Sequence, residues 1–306
     1  TYTPPMLPPS LSKADLHLLH VFCTVTDAQG FAAAQITLNV SASTISRQIT
    51  DLETRLGLRL CHRGRKGFRL TDQGQIVYSA AQTLFTSINA FTDTVNGTRG
   101  RLVGKLSLAL IDNWVFNPAA PIHQALADFT TLAPDVEIEL HSIAPDDIER
   151  AVQSGQADLG IGVFHRQKPG LSYTRLTTEV IGLYCGQNHP LFAPSNTADI
   201  PALLQSSNYA RRSYLNEHQV APISDGLKST ASAHQMEGIA LLILTGNYIG
   251  YLPQAFAQTW VRQSRMVCVG QGRYDLDSHI ELVTRRGDDS TLLAQTFTES
   301  LLKNTN

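Results

Sequence analysis

Apolar residues recur at helical spacing through the first hundred residues, and the clearest run begins just after Ser41. Four of them follow one another at intervals of four, three and four positions: Ile45, Ile49, Leu52 and Leu56. This spacing predicts a helix with one buried face. The Ser41 hydroxyl can accept a backbone N–H at the helix start, and Gly57 is typical of a helix end. A shorter apolar face precedes it over residues 31–38, and Asn39 and Val40 form the turn between the two helices.

The opposite face of this helix is polar, and a basic segment follows it. The polar face carries Ser43, Thr44, Arg47, Gln48 and Arg55. Such side chains suit the DNA major groove, where each base pair presents its own pattern of donors and acceptors. The segment after Gly57 mixes basic residues with two glycines, which predicts a β-hairpin whose basic tip can approach a phosphate backbone. Residues 41–69 hold seven Lys and Arg against two Asp and Glu. A solvated helix face followed by a polar turn is the alternative interpretation.

Residues 72–98 lack proline and carry apolar residues at every third or fourth position, among them Ile76, Leu84, Ile88, Phe91 and Val95. The pattern predicts one helix of about 25 residues, roughly 38 Å long. Its apolar stripe needs a partner that a small domain alone cannot supply. The alternative is that the helix packs on its own domain.

After a predicted hinge at residues 97–100, the pattern changes to alternating strands and helices. Continuous apolar runs, typical of strands buried on both faces of a parallel sheet, occupy residues 106–111, 158–163 and 180–185. Helical patterns lie between and after them, at residues 118–132, 146–154, 235–245 and 292–302. This alternation predicts an α/β domain with parallel sheets. Its length of about 205 residues favours two subdomains.

The distribution of charge along the chain supports this division into two parts. Residues 1–100 carry nine Lys and Arg against six Asp and Glu, and the rest carries fifteen against twenty. A basic N-terminal part beside an acidic remainder fits a nucleic-acid-binding domain joined to a domain that does not contact nucleic acid.

The four cysteines are far apart, without zinc-ligand spacing, and Cys23, Cys185 and Cys268 are expected to be buried thiols. Cys61 stands beside His62 and Arg63, which leaves a redox-sensor role open.

These residues resemble the winged helix-turn-helix of LysR-type transcriptional regulators. The resemblance runs through Phe31, Ala34, Leu38, residues 40–41, 45–49, 52–53 and 56–57, Leu60, Arg63, Gly67, residues 69–71 and Gly74, with residues 18–25 as the family's first helix. Three positions depart from the family pattern: Ala32, Ala42 and Cys61. They put the operator sequence in doubt rather than the DNA-binding role. Residues 155–161, 176–191 and 246–253 resemble the family's effector domain, which has the periplasmic-binding-protein fold.

The resemblance implies an α/β protein with an all-α winged helix-turn-helix N-terminal domain, a long linker helix and a two-subdomain effector domain. The expected ranges are a flexible arm at 1–11, the DNA-binding domain at 12–71, the linker helix at 72–98 and the effector domain at 101–306. Subdomain I would cover 101–178 and 278–306, and subdomain II 179–277. The chain would cross between subdomains near residues 177–180 and 274–278. Two linker helices would pair to form a dimer, and a tetramer is the family expectation.

Two sets of site residues follow. The expected DNA contacts are Ser41, Ala42, Ser43, Thr44, Arg47, Gln48, Arg63, Arg65, Lys66 and Arg69. Ligands of open α/β sheets bind at the carboxyl ends of strands and at helix N-termini. That rule selects effector contacts at Asp112, Asn113, Ser142, Ile143, Ala144, Phe164, His165, Arg211, Ser229, Thr230 and Tyr251. The cations Arg211, Arg212, Lys228, His165 and Arg166 favour an anionic effector such as a carboxylate, unless they are solvated surface charges.

No hydrolase, zinc-protease, P-loop or dinucleotide-binding motif is present, so we expect no enzyme activity, cofactor or metal. The expected partners are double-stranded DNA, a small-molecule effector, RNA polymerase and further copies of the chain. With no signal peptide and no bilayer-spanning apolar run, we expect a cytoplasmic protein without a membrane partner. A solute-binding module and an enzyme on the same two-lobed scaffold are the alternatives.

Overall fold

A computed structural model describes residues 11–62, 68–97, 102–117, 122–194, 199–214, 227–287 and 290–305. The chain divides into two compact units, residues 1–89 and 90–306. The first unit contains α1 (Lys13–Asp27), α2 (Phe31–Leu38), α3 (Ala42–Leu56), β1 (Cys61–His62) and β2 (Arg69–Leu70), and it includes most of α4 (Asp72–Gly97).

The helices of the first unit begin and end where local side chains satisfy the backbone. Ser12 and Asp15 form a reciprocal capping box at the start of α1. Ser41 Oγ accepts the Thr44 backbone N–H at the start of α3, and Gly57 ends that helix in the left-handed conformation. The Ser41 cap and the Gly57 end confirm the helix predicted after Ser41.

Three of the four apolar residues predicted for the buried face of α3 are in fact buried. Ile45, Ile49 and Leu52 are fully buried among apolar residues of α1 and α2, whereas 38% of Leu56 is exposed. The prediction for Leu56 was therefore wrong. The helix leaves the core in its last turn, just before Gly57 turns the chain toward β1.

The hairpin predicted after α3 is present at its base. β1 and β2 pair antiparallel, with Cys61 opposite Leu70 and His62 opposite Arg69. The predicted basic tip, residues 63–67, lies outside the described residues.

The long helix α4 has one turn fitted tightly to the hairpin and a later part that exposes apolar side chains. A Cβ at Gly74 would lie 1.9 Å from the Leu60 carbonyl oxygen, so only glycine allows this approach. Ala81 and its neighbours then pack on the first unit's core. Ile76 and Phe91 are each 70% exposed. The helix thus buries part of its apolar stripe and leaves another part open to solvent.

The second unit is built around one nine-stranded mixed sheet, with strand order β4-β3-β5-β11-β6-β9-β7-β8 and β10 paired to β6. In chain order its elements are β3 (Val103–Leu110), α5 (Ile122–Leu132), β4 (Asp135–Ser142), α6 (Pro145–Ser154), β5 (Leu159–Gly162), β6 (Leu171–Gly186), α7 (Ile200–Ser206), β7 (Asn208–Arg212), β8 (Lys228–Ala233), α8 (Met236–Leu244), β9 (Tyr248–Pro253), α9 (Gln254–Arg262), β10 (Met266–Cys268), β11 (Leu276–Arg285) and α10 (Leu292–Thr305).

The expectation of parallel sheets is right for the two ends of this sheet and wrong for its middle. β3 pairs parallel with β4 and β5, and β7 pairs parallel with β8 and β9. β6 and β11 run antiparallel to each other and to their other neighbours. The reason is topological, because one strand carries the chain from the first half of the sheet to the second and the other carries it back.

The two halves define two lobes. The first lobe consists of β3–β5 with α5, α6 and α10, and its core includes Leu106, Phe129 and Phe297. The second lobe consists of β7–β10 with α7–α9, and Ile243 and Phe256 belong to its core. At the crossing, Glu179 and Val180 of β6 pair with Ser278 and Asp277 of β11, within the ranges expected for the crossings. The exact subdomain limits stay a prediction.

The strands β7 and β8 were not predicted, because residues 206–234 show no continuous apolar run. β7 ends in Arg211 and Arg212, and β8 consists of lysine, serine, threonine and alanine alone. None of the helices in the described part of the chain has the length and hydropathy that crossing a bilayer requires.

Candidate DNA-binding surface and interlobe cleft

The N-terminus of α3 forms a compact polar surface. Ser41 Oγ lies 2.9 Å from both the Ser43 and Thr44 hydroxyl oxygens. Ser43 is exposed, Thr44 half-buried. The Ala42 backbone N–H donates to Gln35 Oε1 of α2 over 3.1 Å, which ties the two helices together. The role of Gln35 was not predicted, because nothing local marks a side chain that caps the following helix.

Two of the predicted basic contacts face solvent. Arg47 of α3 and Arg69 of β2 are exposed, and neither has a carboxylate partner among the residues that the structure describes. Arg55, on the same helix as Arg47, instead donates to Asp15 of α1 over 2.9 Å. Arg47 and Arg69 therefore keep their charge available to an external anion. Arg63, Arg65 and Lys66 lie outside the described residues.

Gln48 is placed differently from the other residues of the polar face. Its amide nitrogen lies 3.0 Å from His17 Nε2 of α1, and the residue is half-buried. The contact holds α3 against α1. A role for Gln48 in DNA contact stays a prediction.

The hairpin is anchored to α3 by one carboxylate. Glu53 Oε1 accepts the backbone N–H of Leu60 over 2.8 Å and that of Cys61 over 3.3 Å. This fixes the direction in which the basic hairpin leaves the core.

The cysteines are not equally buried. Cys61 is 1% exposed, so an oxidant would reach its sulfur only after local opening. Cys23 and Cys185 are buried as expected, and burial raises the pKa of both thiols to about 12. Cys268 is only half-buried, which corrects the expectation of full burial. It lies on the short strand β10, at the edge of the apolar core of the second lobe.

In the second unit, an ion pair joins the two lobes. The Asp112 carboxylate, just after β3, accepts from Arg212 Nη1 over 3.0 Å and from Nη2 over 2.7 Å at the end of β7. It also accepts the backbone N–H of Met236, the first residue of α8. Both ion-pair side chains are about nine-tenths buried. Two fully formed bonds to a guanidinium make this a strong, orienting contact.

Two neighbouring pockets share Tyr214; residues of both lobes line the smaller one, and first-lobe residues together with Tyr214 line the larger one. The smaller is lined by Asp112, Ser142, Ile143, Ala144, Arg212, Tyr214, His234 and Gln235. The larger, about 120 Å³, is lined by Pro145, Asp146, Glu149, Val163, Phe164, His165, Arg166, Lys168 and Tyr214. Six of the predicted effector contacts line one pocket or the other: Asp112, Ser142, Ile143, Ala144, Phe164 and His165.

The other five predicted contacts line neither pocket. Ser229 and Thr230 are exposed on β8, and Arg211 is half-buried on β7. Tyr251 packs edge-on against Tyr209 in the core of the second lobe, and burial raises the pKa of its phenol. Asn113 takes a left-handed conformation before a short 3-10 turn. A role for these five in effector binding stays a prediction.

The larger pocket contains a buried carboxylate that was not predicted. Glu149 of α6 is 3% exposed, accepts from the Tyr173 hydroxyl over 2.5 Å, and pairs with Lys168 Nζ at 2.7 Å. An acidic residue on a helix is usually exposed to solvent, so the sequence around Glu149 gives no reason to predict its burial. The described residues contain no group of His, Cys, Asp or Glu side chains able to hold a metal ion.

Glu179 lies at the strand crossing, beside this cleft. Asn117 Nδ2 donates to Glu179 Oε2 over 3.2 Å. Burial, and then the negative charge of Asp112, raises the pKa of Glu179 from 4.5 to about 7. The carboxyl group is therefore partly protonated near neutrality.

Replacing Glu179 by Gln is expected to change the pH dependence of stability. Between about pH 4.5 and 7 the unfolded chain loses this proton while the folded chain keeps it, so native stability falls as pH rises through that window. E179Q removes the penalty and should raise the free energy of unfolding by on the order of 2 kcal/mol at pH 8, and by almost nothing at pH 4.5. Urea denaturation at both pH values measures this, with the exposed Glu299→Gln as control. Equal gains at both pH values would contradict the assignment.

Comparison with known proteins completes the description of the two units. Residues 99–306 match the family described as LysR substrate binding domain, and residues 16–75 match the family described as bacterial regulatory helix-turn-helix protein, lysR family. The chain is 36% identical to the HTH-type transcriptional activator BauR of Pseudomonas aeruginosa, over 95% of each chain. It is 26% identical to the HTH-type transcriptional regulator MetR of Escherichia coli (strain K12), over 88% of this chain and 84% of that protein.

Solved structures agree on the fold. The LysR family regulator CbnR has a TM-score of 0.64 at 19% identity, covering 95% of this chain and 99% of that chain. CbnR in complex with its target DNA gives a TM-score of 0.63. Since one family match covers more than half of the sequence and BauR aligns over nearly its whole length, the chain belongs to the LysR family of DNA-binding transcriptional regulators.

Proposed function

We propose that this regulator binds its operator as paired copies and that a small effector, held between the lobes of the second unit, controls that binding. The observation that carries the proposal is the division of polar chemistry between the units. The exposed side chains of Arg47 and Arg69, which have no carboxylate partner among the described residues, support DNA contact, and a polar cleft with buried charges supports a small ligand.

In this proposal, side chains near the start of α3 read the DNA. Ser43, Thr44 and Arg47 contact base edges or nearby phosphates, with the capping residue Ser41 and the small Ala42 beside them. Arg69 and the hairpin residues Arg63, Arg65 and Lys66 hold the backbone. Base contacts set the site, and phosphate contacts set affinity and its salt dependence. The exposure of Arg47 and Arg69 supports these roles.

Replacing Arg69 by Ala is expected to weaken binding to all duplexes about equally, and to reduce the slope of log affinity against log salt by about 1, because one phosphate contact is lost. Replacing Ser43 by Ala is expected to alter the preferred sequence with little change in that slope. Mobility shifts at two salt concentrations separate the two results. Arg55→Ala is the matched control, because Arg55 pairs with Asp15. A slope reduced by about 1 in Arg55→Ala and unchanged in Arg69→Ala would contradict the assignment.

The effector site that we propose is the interlobe cleft. The two adjoining pockets hold two internal ion pairs, Asp112 with Arg212 and Glu149 with Lys168, so their charges are mutually compensated. A small ligand bearing a carboxylate fits this setting, because a guanidinium and the N-terminus of a helix, both bonded to Asp112 in this structure, are donors suited to a carboxylate. The effector alters the relative stability of two lobe arrangements only through its different affinity for each.

The full chain titrated with small organic acids tests this part. At least one acid is expected to raise the melting temperature and to change the operator mobility shift, because a ligand of the native state stabilises it by mass action. The uncharged amide of the same acid is the matched control. Failure of every acid to change either measurement, while operator binding is intact, would contradict an effector of this class.

Pairing of copies completes the proposal. The exposed apolar side chains of α4, Ile76 and Phe91, support a helix-to-helix contact between two copies. A two-fold arrangement presents two α3 helices to two half-sites of a palindromic operator, and two such dimers form a tetramer. Effector binding would change the spacing of these units, the bend of the DNA and access for RNA polymerase.

A further inference from the structure

The described hydrogen-bond partners of Asp112 belong to the opposite lobe. Asp112 follows β3 of the first lobe, whereas Arg212 ends β7 and Met236 begins α8 in the second. One carboxylate thus accepts hydrogen bonds from both terminal nitrogens of a guanidinium and from the first backbone N–H of a nine-residue helix. The contact joins residues 100 and 124 positions apart in the chain.

These donors are the set that a free carboxylate would use. A guanidinium binds a carboxylate through two parallel hydrogen bonds, and a helix N-terminus offers free N–H groups and the positive end of the helix dipole. Arg212 is 8% exposed, and its guanidinium carbon lies 4.8 Å from the centre of the Tyr214 ring. The ring and the burial hold the guanidinium in place whichever carboxylate it binds.

A second observation shows that Asp112 does not use all of this site. The Nε atom of Arg212 is buried and has no hydrogen-bond partner among the described residues. A buried guanidinium nitrogen without an acceptor is costly, and the side chain borders the smaller interlobe pocket. A ligand with more than one acceptor atom could reach this nitrogen as well as those that Asp112 occupies.

We infer that Asp112 is a built-in occupant of a carboxylate site, and that an effector carboxylate binds Arg212 and the N-terminus of α8 by displacing it. The inference rests on the proposed function and names the chemical group that the cleft recognises. Displacement breaks a contact that joins the lobes, so a ligand that binds in this way also releases one lobe from the other.

A competing group on the same chain lowers the apparent affinity for the ligand. A tethered carboxylate acts at an effective concentration on the order of millimolar or higher, so a free carboxylate must exceed it or bring further contacts. Removing the tethered group should therefore strengthen binding of a free carboxylate rather than abolish it. This distinguishes an internal competitor from a residue that contacts the effector favourably, whose loss would weaken binding.

The test compares wild type, Asp112→Ala and the double variant Asp112→Ala/Arg212→Gln, each as the full chain, with acetate as probe and acetamide as its uncharged control. D112A leaves space for acetate beside Arg212, and is expected to melt below wild type. Acetate should restore its melting temperature and bind at least tenfold more tightly than to wild type. Acetamide should do neither, and the double variant should lose the response to acetate. If D112A does not fold, D112N is used instead, because its neutral amide fills the same space but competes less well than a carboxylate for the guanidinium.

Equal acetate affinity in D112A and wild type would overturn the inference, and so would an unchanged response in the double variant. Operator binding is measured separately on the same samples. If acetate rescues D112A but no acid alters operator binding by wild type, the inference stands and the effector part of the proposed function fails.

Discussion

Gly74→Ala is expected to unfold the first unit or to displace the hairpin from it, and to abolish DNA binding. The added Cβ would lie 1.9 Å from the carbonyl oxygen and 2.8 Å from the carbonyl carbon of Leu60, and both are backbone atoms. That carbonyl accepts the Thr71 N–H over 3.0 Å, and the Gly74 N–H donates to Thr71 Oγ1 over 2.9 Å. Because these bonds join the hairpin to the start of α4, neither side can move without breaking the junction.

The expected loss is more than about 3 kcal/mol, the scale of severe overpacking. Chemical denaturation followed by circular dichroism measures it, and a mobility shift reports the function. Gly57→Ala is the matched control: its Cβ meets nothing within 4 Å, although φ there is +66°. Backbone strain alone should cost Gly57→Ala about 1 kcal/mol. A Gly74→Ala protein as stable as Gly57→Ala would show that the junction is looser than described.

Phe91→Lys is expected to separate the paired copies and to reduce operator affinity by at least about a hundredfold. A phenylalanine that is 70% exposed in one chain is stabilising only where another surface covers it. Two copies each bury one ring worth about 2 kcal/mol, and an unpaired ammonium in that contact adds a desolvation penalty. A monomer reads one half-site and loses the gain from binding both together.

Light scattering and mobility shifts on the same samples test this. Gln75→Lys is the control, because Gln75 is exposed and points roughly 160° around the helix axis from Phe91 and roughly 100° from Ile76. It carries the same added charge on another face of α4. If Phe91→Lys stayed paired and bound its operator normally, pairing would have to use some other surface.

Local features of α3 could be predicted from the sequence because they depend on neighbours along the chain. Ser41, Gly57 and the spacing of Ile45 and Ile49 act within one or two helical turns, so sequence distance and spatial distance agree there. Leu56 keeps the same spacing but lies where the core ends, and nothing in the spacing marks that limit.

The cleft could be predicted only as a region. The rule that ligands bind at strand ends selected residues next to the lobes' meeting point, and six of them line the two pockets. It could not show that Asp112 and Arg212 bind each other across 100 residues. Nor could it show that Glu149 is buried. Its partner Tyr173 lies on β6, and the position of that strand depends on how β6 pairs with β11.

The antiparallel middle of the sheet is the physical basis of the two-lobed arrangement. β6 and β11 pair from Leu171 with Arg285 to Ile181 with Leu276, and among the strands of the described residues these two long ones belong to both halves of the sheet. The Asp112–Arg212 pair joins the ends of β3 and β7, and its carboxylate lies close enough to Glu179 of β6 to raise the pKa of that side chain. The two crossing strands can act as a hinge, and the Asp112–Arg212 contact joins the lobes at a separate point. Such an arrangement is suited to a change in lobe orientation on ligand binding.

Selection of duplexes from a random library by the purified full chain, followed by sequencing, tests whether paired copies of the protein read DNA through α3. Paired copies that read DNA through α3 should enrich sequences with two inverted half-sites separated by whole turns of the double helix, and Phe91→Lys should lose the second half-site. Enrichment of a single unrepeated site by the wild type, or no enrichment at all, would contradict the account.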